Sequence, residues 1–424
     1  MVIFNGGNNN LYIQFNFVII SIFFLLFSRE KNYLAHINEI FLKNKLAIIF
    51  YILFISFLIF QTIPLPIEWL SILSPEKYNL LNKLEFNGNF NSISWNPVNS
   101  YFSILNYLSL FLYLIIFKSL FYKRKDLFKL YYFLVILGAI ASSVAIYFYL
   151  IGNPDFLMIK NRFYPSSATG FFINRTVFAC FLVLCFFCGI EYLKKIDNYQ
   201  EDNTKKFFNK IYNRIFLLLI TIGIITSFSR LGNFLFISLI IIHIVQALYL
   251  NDKKNRFFLF TLLFIVLFDV LILGFYFGSE KLLQRYFFLQ KEFNEYLPIT
   301  SEFSLSRGNL MKFAYIEFKN FFFFGYGAGG FESLLKINFQ NLSTKYASHA
   351  HSDLIEFIGE FGLIGSILIS LSLLLPSINK NFLLCYLLIF ILLFDFSFHI
   401  PVIQFLFIIL LSIDYKQSND PKYR

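Results

Sequence analysis

The stretch Tyr346-Ala-Ser-His-Ala-His-Ser-Asp-Leu-Ile-Glu-Phe-Ile-Gly-Glu-Phe-Gly362 joins two unlike parts of the chain. Before it, from about residue 279 to 353, runs the longest segment with no apolar stretch of membrane length. After it a new apolar helix begins near residue 354. His349 and His351, two of the five histidines, fall at this junction beside Asp353. Upstream lie Arg307 and a glycine-rich turn, Phe324-Gly-Tyr-Gly-Ala-Gly-Gly-Phe331. A mostly polar, titratable loop with apolar chain on both sides puts the chemistry of this protein against a membrane.

Outward from that junction the chain is apolar almost throughout. Its 424 residues are 58% hydrophobic and 14% charged, with a mean hydropathy of +0.65. A soluble domain cannot hide that much apolar surface, so the fold class is an all-α, polytopic membrane protein. The length criterion gives about eleven spans, near 11–27, 45–63, 101–121, 127–151, 171–193, 212–228, 231–250, 257–278, 354–375, 381–397 and 400–414. No repeat or linker divides the series, so residues 1–424 form one membrane domain. The first span lacks a basic leader and a small-residue cleavage site and reads as a retained helix. All four cysteines fall inside spans, which predicts buried apolar packers and no disulfide framework.

The net charge of +11 raises nucleic acid as a partner, but the basic residues cluster beside span ends. Arg29, Lys31 and Lys43 share one loop and Lys123, Arg124 and Lys125 another; a third holds Lys194, Lys195, Lys205, Lys206 and Lys210. Such alternation records insertion topology and anionic lipid, and predicts that these loops are cytoplasmic. The loops at 64–100, 152–170 and 279–353 then face outward, as does the amino terminus. The large outward loop at 279–353, partly helical, carries the candidate site.

Arg230, in Thr226-Ser-Phe-Ser-Arg-Leu-Gly-Asn233, follows a short span. Sixteen residues separate it from Arg214, about 24 Å against a hydrocarbon core of about 30 Å. The guanidinium then either snorkels outward or points into a cavity to hold an anion, phosphate matching its fork of donors. Arg307 opens a stretch with apolar residues at helical spacing, Leu310, Phe313, Ala314, Ile316 and Phe318. It reads as an amphipathic helix lying on the outer interface, where basic residues also meet lipid headgroups. Gly325 and Gly327 lack dinucleotide-binding spacing and read as a turn that lets the backbone come close to a ligand or another helix. Asp353-Leu-Ile-Glu356 has capping-box spacing, so a helix starts near Asp353 with His351 just before it. The helix dipole there disfavours imidazolium and leaves a neutral base. A rival reading is a metal site, since His349, His351 and Asp353 alternate along the chain. Gly359, Gly362 and Gly365 suggest a close-packing face. Asn174 and the segment Asp395-Phe-Ser-Phe-His-Ile-Pro401 either line the same cavity or cap spans.

Together these features resemble the O-antigen ligase and polymerase family of bacterial envelopes. The resemblance rests on Ser229-Arg230 between two spans, Arg307 opening a helix, the Gly325-Tyr-Gly327 turn, His351, and Glu360-Phe-Gly362, in that order. It covers roughly residues 170 to 410, with Asn174 and Asp395–Pro401 at matching positions. Where the family often has Trp and Pro, this chain has Met311 and Phe324, and His349 is a second candidate histidine. The resemblance implies a multi-pass protein of the bacterial inner membrane with its active site facing the periplasm. It implies inverting transfer of a glycan from undecaprenyl pyrophosphate to lipid A-core, another glycan or a protein hydroxyl. His351, Arg307 and Arg230 would be catalytic; Ser229, Asn174, Gly325, Gly327, His349 and Glu360 would bind substrate. No metal or other cofactor is needed if arginines carry the charge. A lipid-linked-glycan flippase is the alternative from another class, but neither paired repeats nor matching broken helices are present. A non-catalytic envelope assembly protein is the third.

Overall fold

The computed structural model describes residues 1–121, 124–155, 164–199, 202–250, 264, 306–339, 347–374 and 382–412. The span expected at 257–278, Phe264 apart, and most of the loop expected at 279–353 lie outside the described residues. Nearly all of the described chain is helix, as hydrocarbon demands, because each backbone polar group must find its partner within its own segment.

In chain order the helices are α1 (Asn10–Ser28), α2 (Lys31–Lys43), α3 (Lys45–Thr62), α4 (Ile67–Leu73), α5 (Pro75–Lys83), α6 (Pro97–Leu120), α7 (Arg124–Leu150), α8 (Arg175–Tyr199), α9 (Asn203–Thr226) and α10 (Arg230–Leu250). After them come α11 (Arg307–Asn320), α12 (Phe331–Asn338), α13 (Asp353–Leu374), α14 (Phe382–Phe394) and α15 (Pro401–Ser412). Among the described residues eight helices are long and apolar enough to cross a membrane: α1, α3, α6, α7, α8, α9, α10 and α13. The spans expected at 381–397 and 400–414 are the shorter apolar helices α14 and α15. A polar break, Asp395 to Ile400 with one 3-10 turn at Ser397–His399, separates them. Pro401 opens α15, where its missing N–H costs nothing.

The bundle is built around α8. In its apolar stretch 94% of residues are buried, against 6% in α1, so α8 is the core helix and α1 lies at the rim. It packs against α7, α9, α10 and α15. Small residues bring the first of these close: a Cβ on Gly138 of α7 would stand 2.6 Å from Cys185 Cβ. All four cysteines are free, with Cys180, Cys185 and Cys188 buried as expected.

Two expectations change. The loop around Arg29 to Lys43 is the amphipathic helix α2, held by a Glu39–Lys43 ion pair of 2.6 Å. The short sixth span is α9, which runs 24 residues from an Asp202 cap, with Arg214 inside it. Arg230 therefore loses the depth argument made from Arg214.

The segment between α3 and α6 buttresses the site. Leu65–Pro66 pairs antiparallel with Phe90–Asn91, and Lys77 is buried beneath them. Its Nζ donates to the Ser92 and Ser94 carbonyls, each at 2.7 Å, and lies 4.8 Å from the Trp95 ring centre. Burial lowers the Lys77 pKa to about 7. The Trp95 backbone N–H donates to the Tyr326 carbonyl at 3.1 Å, joining this segment to the glycine turn.

Candidate active site

α13 carries three carboxylates on one face, Asp353, Glu356 and Glu360, at positions i, i+3 and i+7. All three are buried, so each must find donors. Asp353 accepts from Phe398 N–H at 2.6 Å and from His399 Nδ1. Its own N–H donates to the Asp395 carbonyl at 3.0 Å, so the start of α13 and the break before α15 are one unit. Glu356 accepts from Ala350 N–H at 2.6 Å and from His349 Nδ1 at 2.9 Å. Glu360 accepts from Gly329 N–H at 2.7 Å. The capping box expected between Asp353 and Glu356 is not formed; both side chains serve neighbouring segments instead.

His399 sits over this ladder with its ring stacked on Phe357, centroids 4.0 Å apart. Its Nε2 is 3.5 Å from Glu356 Oε1 and 3.8 Å from Glu360 Oε2. Burial disfavours its charge, but Glu356 and Asp353 outweigh burial and hold the His399 pKa well above its ordinary value.

The two loop histidines both contact Phe396, in different geometries. His349 stacks on its ring at 4.9 Å and 14°, and His351 meets it edge-on at 5.0 Å. His351 has φ of +61°, a left-handed conformation uncommon for a side-chain-bearing residue. Its Nδ1 is buried and has no hydrogen-bond partner among the described residues. Burial first, then the Arg307 charge, push the His351 pKa down to about 3. Burial and Arg307, and not the helix dipole expected from the sequence, are what disfavour the imidazolium form here.

Arg307 is the first residue of α11, capped by Ser306 Oγ accepting from Asn309 N–H at 3.4 Å. The apolar face of α11 packs on protein: Leu310, Phe313 and Ala314 are buried with Phe331, Leu334 and Ala350. That corrects the expected surface helix resting on lipid. Buried Glu317 shares this face, and burial raises its pKa to about 7. The Arg307 charge acts on both His351 and Asp395, yet it has no ion-pair or hydrogen-bond partner among the described residues. The Asp395 carboxylate accepts from Ser397 Oγ, while its Oδ1 is buried without a hydrogen-bond partner among the described residues.

Gly325 and Gly327 form a staple. Tyr326 N–H donates to the Gly359 carbonyl at 3.0 Å, and Gly327 N–H to the Glu360 carbonyl at 3.1 Å. Gly325 has φ of +70°, and a Cβ there would stand 2.2 Å from the Glu360 carbonyl oxygen. The contact falls where α13 breaks, at Gly362 with φ of +63°. The expected glycine face therefore splits. Gly359 and Gly362 meet this turn, and only Gly365 meets a neighbouring helix, at Phe57 of α3.

Of the remaining expected residues, Asn174 and Ser229 cap helices and Arg230 opens one. Asn174 Oδ1 accepts from Thr176 N–H at 2.7 Å and caps α8. Ser229 Oγ accepts from Gly232 N–H at 3.2 Å, at the start of α10. Arg230 opens α10 one turn before Phe234, whose ring lies 5.4 Å from Phe390 of α14. The structure thus gathers Arg307, His349 and His351 into one cluster, with Glu360 and the glycine turn in its scaffold. Ser229, Arg230 and Asn174 belong to the starts of α10 and α8.

The metal set weighed from sequence, His349, His351 and Asp353, is split among different partners. Another takes its place: His349, Glu356 and His399 offer ligand atoms that all lie within 4.8 Å of one another. That donor set suits a zinc-like ion, although His349 Nδ1 and Glu356 Oε1 already share a hydrogen bond. The sequence pointed to the Asp395–Pro401 segment but gave His399 within it no role of its own. The available signal was three acidic residues at helical spacing in an otherwise apolar span, which demand a buried cation nearby.

Residues 215–370 match the O-antigen ligase family. The match takes in Arg230, Arg307, the glycine turn, both loop histidines and Glu360, and it shows the resemblance to that family over this part of the chain. It is narrower than the expected 170–410, leaving out Asn174 and the segment that holds His399. The chain matches no curated protein and no solved structure. The protein has helices long and apolar enough to cross a membrane many times, and residues 215–370 resemble a family that points to a glycan-joining enzyme.

Proposed function

We propose that the protein transfers a glycan from undecaprenyl pyrophosphate to an acceptor hydroxyl, with inversion, at the periplasmic face of the bacterial inner membrane. The acceptor is lipid A-core or a growing polysaccharide. The observation that carries this reading is Arg307, a guanidinium without an ion-pair or hydrogen-bond partner among the described residues, acting on His351, whose buried Nδ1 has none among them either.

The reaction breaks the bond between the anomeric carbon and the pyrophosphate oxygen and forms one to the acceptor oxygen. The leaving group takes the electron pair, and Arg307 and Arg230 neutralise it. The acceptor proton goes to His351 as general base. In the free protein Arg307 and burial make His351 a weak base. A bound pyrophosphate cancels the Arg307 field and adds negative charge, so the donor itself raises the basicity of His351. Asn174, Ser229 and His349 border the glycan, while Gly325, Gly327 and Glu360 hold the α11–α12 turn in place beneath it.

The test is glycan transfer by purified protein supplied with a polyprenyl-pyrophosphate-linked glycan. Arg307→Lys keeps the charge and loses the fork, so it should transfer more slowly than wild type and faster than Arg307→Ala. Normal transfer by Arg307→Ala and Arg230→Ala at normal protein levels would remove the arginines from the mechanism.

A further inference from the structure

We infer that the segment between α3 and α6 is a foot seated in the lipid interface: Trp69, Ile72, Leu84, Phe86 and Phe90 enter the bilayer at the candidate-site end of the bundle and fix the height of the glycine turn, whatever reaction the site performs.

The segment has two faces. Leu65, Leu70, Leu81 and Ile93 are buried together, with Ile67, Leu73 and Phe60 of α3 packed against them. Trp69 and Ile72, three residues apart on α4, fall on the other surface and are 58% and 78% exposed. Leu84 and Phe86, which follow α5, and Phe90 of the strand pair are exposed as well. Five large apolar side chains in one short segment outside the spans are more than scattered surface positions.

The neighbouring helices set the height of this segment. Phe60 and Gln61 belong to the last turn of α3. Phe60 joins the buried cluster, and the Gln61 carbonyl accepts from Ser94 N–H at 2.9 Å. The segment therefore lies beside the end of a helix of membrane length, not on a stalk beyond it. Its exposed apolar residues continue those of the helices it joins, Ile59 and Ile63 before it and Val98 and Tyr101 after it. Lipid covers the spans, so lipid is the occupant that covers this face too. Charge limits the depth. Glu68, Glu76, Lys83 and Glu85 are exposed, and residues 84–89 are turn and irregular chain, neither of which hydrocarbon accepts. Aromatic rings at the interface with charges among the headgroups satisfy both demands. Three exposed acidic residues against one basic residue give anionic headgroups no special welcome.

The foot is fastened to the glycine turn. Besides the Trp95 bond, Gln61 Nε2 donates to the Phe324 carbonyl at 2.6 Å and Ser100 Oγ to the Ala328 carbonyl at 2.7 Å. Asn96 Nδ2 donates to Ser333 Oγ of α12 at 3.0 Å. Seating the foot in lipid thus holds the turn and α12 at one height above the bilayer.

The experiment is tryptophan fluorescence of the full chain in zwitterionic vesicles whose acyl chains carry bromine near the carbonyl end or in mid-chain. Bromine quenches only a tryptophan that meets lipid. The chain has two tryptophans, Trp69 and Trp95, and Lys77 lies over the Trp95 ring. Wild type should lose part of its emission in brominated vesicles, more with bromine near the carbonyl end. Trp69→Phe should lose that quenchable part, and adding Ile72→Trp, one turn along the same face, should restore it. If Trp69→Phe does not fold, Ile72→Trp in the wild type decides: added quenchable emission upholds the inference, and none overturns it. Trp69 emission reached by aqueous iodide and not by bromine would overturn it in favour of water. Emission reached by neither would overturn it in favour of a second copy of the chain or another protein. Quenching that appears only when anionic lipid is added would overturn it in favour of a headgroup-binding site.

Discussion

The two histidines that contact the Phe396 ring are built on opposite terms. On one side His349 is tied to Glu356, with His399 and Asp353 behind it, and every carboxylate there has a donor. On the other His351 has a left-handed backbone, a buried nitrogen without a partner and an arginine charge pressing on it. The first ties all its carboxylates to donors, leaving one buried nitrogen, His399 Nε2, facing Glu356 and Glu360 without a hydrogen bond among the described residues. The second is held in a state that a bound anion would relieve. Strain and unsatisfied polar groups persist where surrounding structure enforces them, and they gather at functional sites.

The largest expected effect tests that contrast directly. His351→Ala should lower transfer by about a hundred- to ten-thousandfold, the usual worth of a general base. His349→Ala should lose far less, because it removes a positioning contact and leaves the base. A dead His349→Ala beside a fully active His351→Ala would reverse the roles of the two sides.

Next in size is an acid effect on stability. His351 is held neutral, with its pKa pushed down to about 3 from a reference near 6.5. Its neutral burial therefore destabilises the fold as pH falls below that reference value. His399 has the opposite sign: its raised pKa contributes stability in full below the reference, and that contribution is lost as pH rises through the folded value. Thermal unfolding against pH should thus show His351→Ala flattening the acid side and His399→Gln flattening the alkaline side. Both variants flattening the same side would show that the two histidines do not differ as described.

A smaller effect belongs to the staple. Gly325→Ala forces a side chain into a left-handed backbone and against the Glu360 carbonyl, which should cost about 1–3 kcal/mol and lower the unfolding temperature. Unchanged stability would mean that the turn is not clamped to α13. Smallest of all, a chelator should leave transfer and unfolding temperature where they were. Loss of both would assign an ion to His349, Glu356 and His399.

The contrast also marks what the sequence could convey. Apolar segments of membrane length identified the spans, because hydrocarbon leaves a chain few options other than helix. His351 and Arg307 stood out as titratable residues beside apolar chain. The Asp353–His399 contact did not, because its partners are 46 residues apart and each reads locally as an ordinary span cap. Helix lengths failed for a related reason. In α9 the turns before Arg214 are polar, so an apolar window began the span too late. The surface helix expected at Arg307 failed because its apolar face could not announce whether lipid or protein would cover it.

The central claim is that Arg307 and His351 together receive the pyrophosphate and then the proton. It is tested most directly by titrating His351 through its nitrogen-15 signals in bilayers, with and without undecaprenyl pyrophosphate. The account predicts a His351 that stays neutral through mildly acidic pH in the free protein, and whose pKa rises when the lipid is added. It predicts no such rise in Arg307→Ala, where the anion has lost its seat. A His351 titration that the lipid leaves unmoved in wild type would contradict the account.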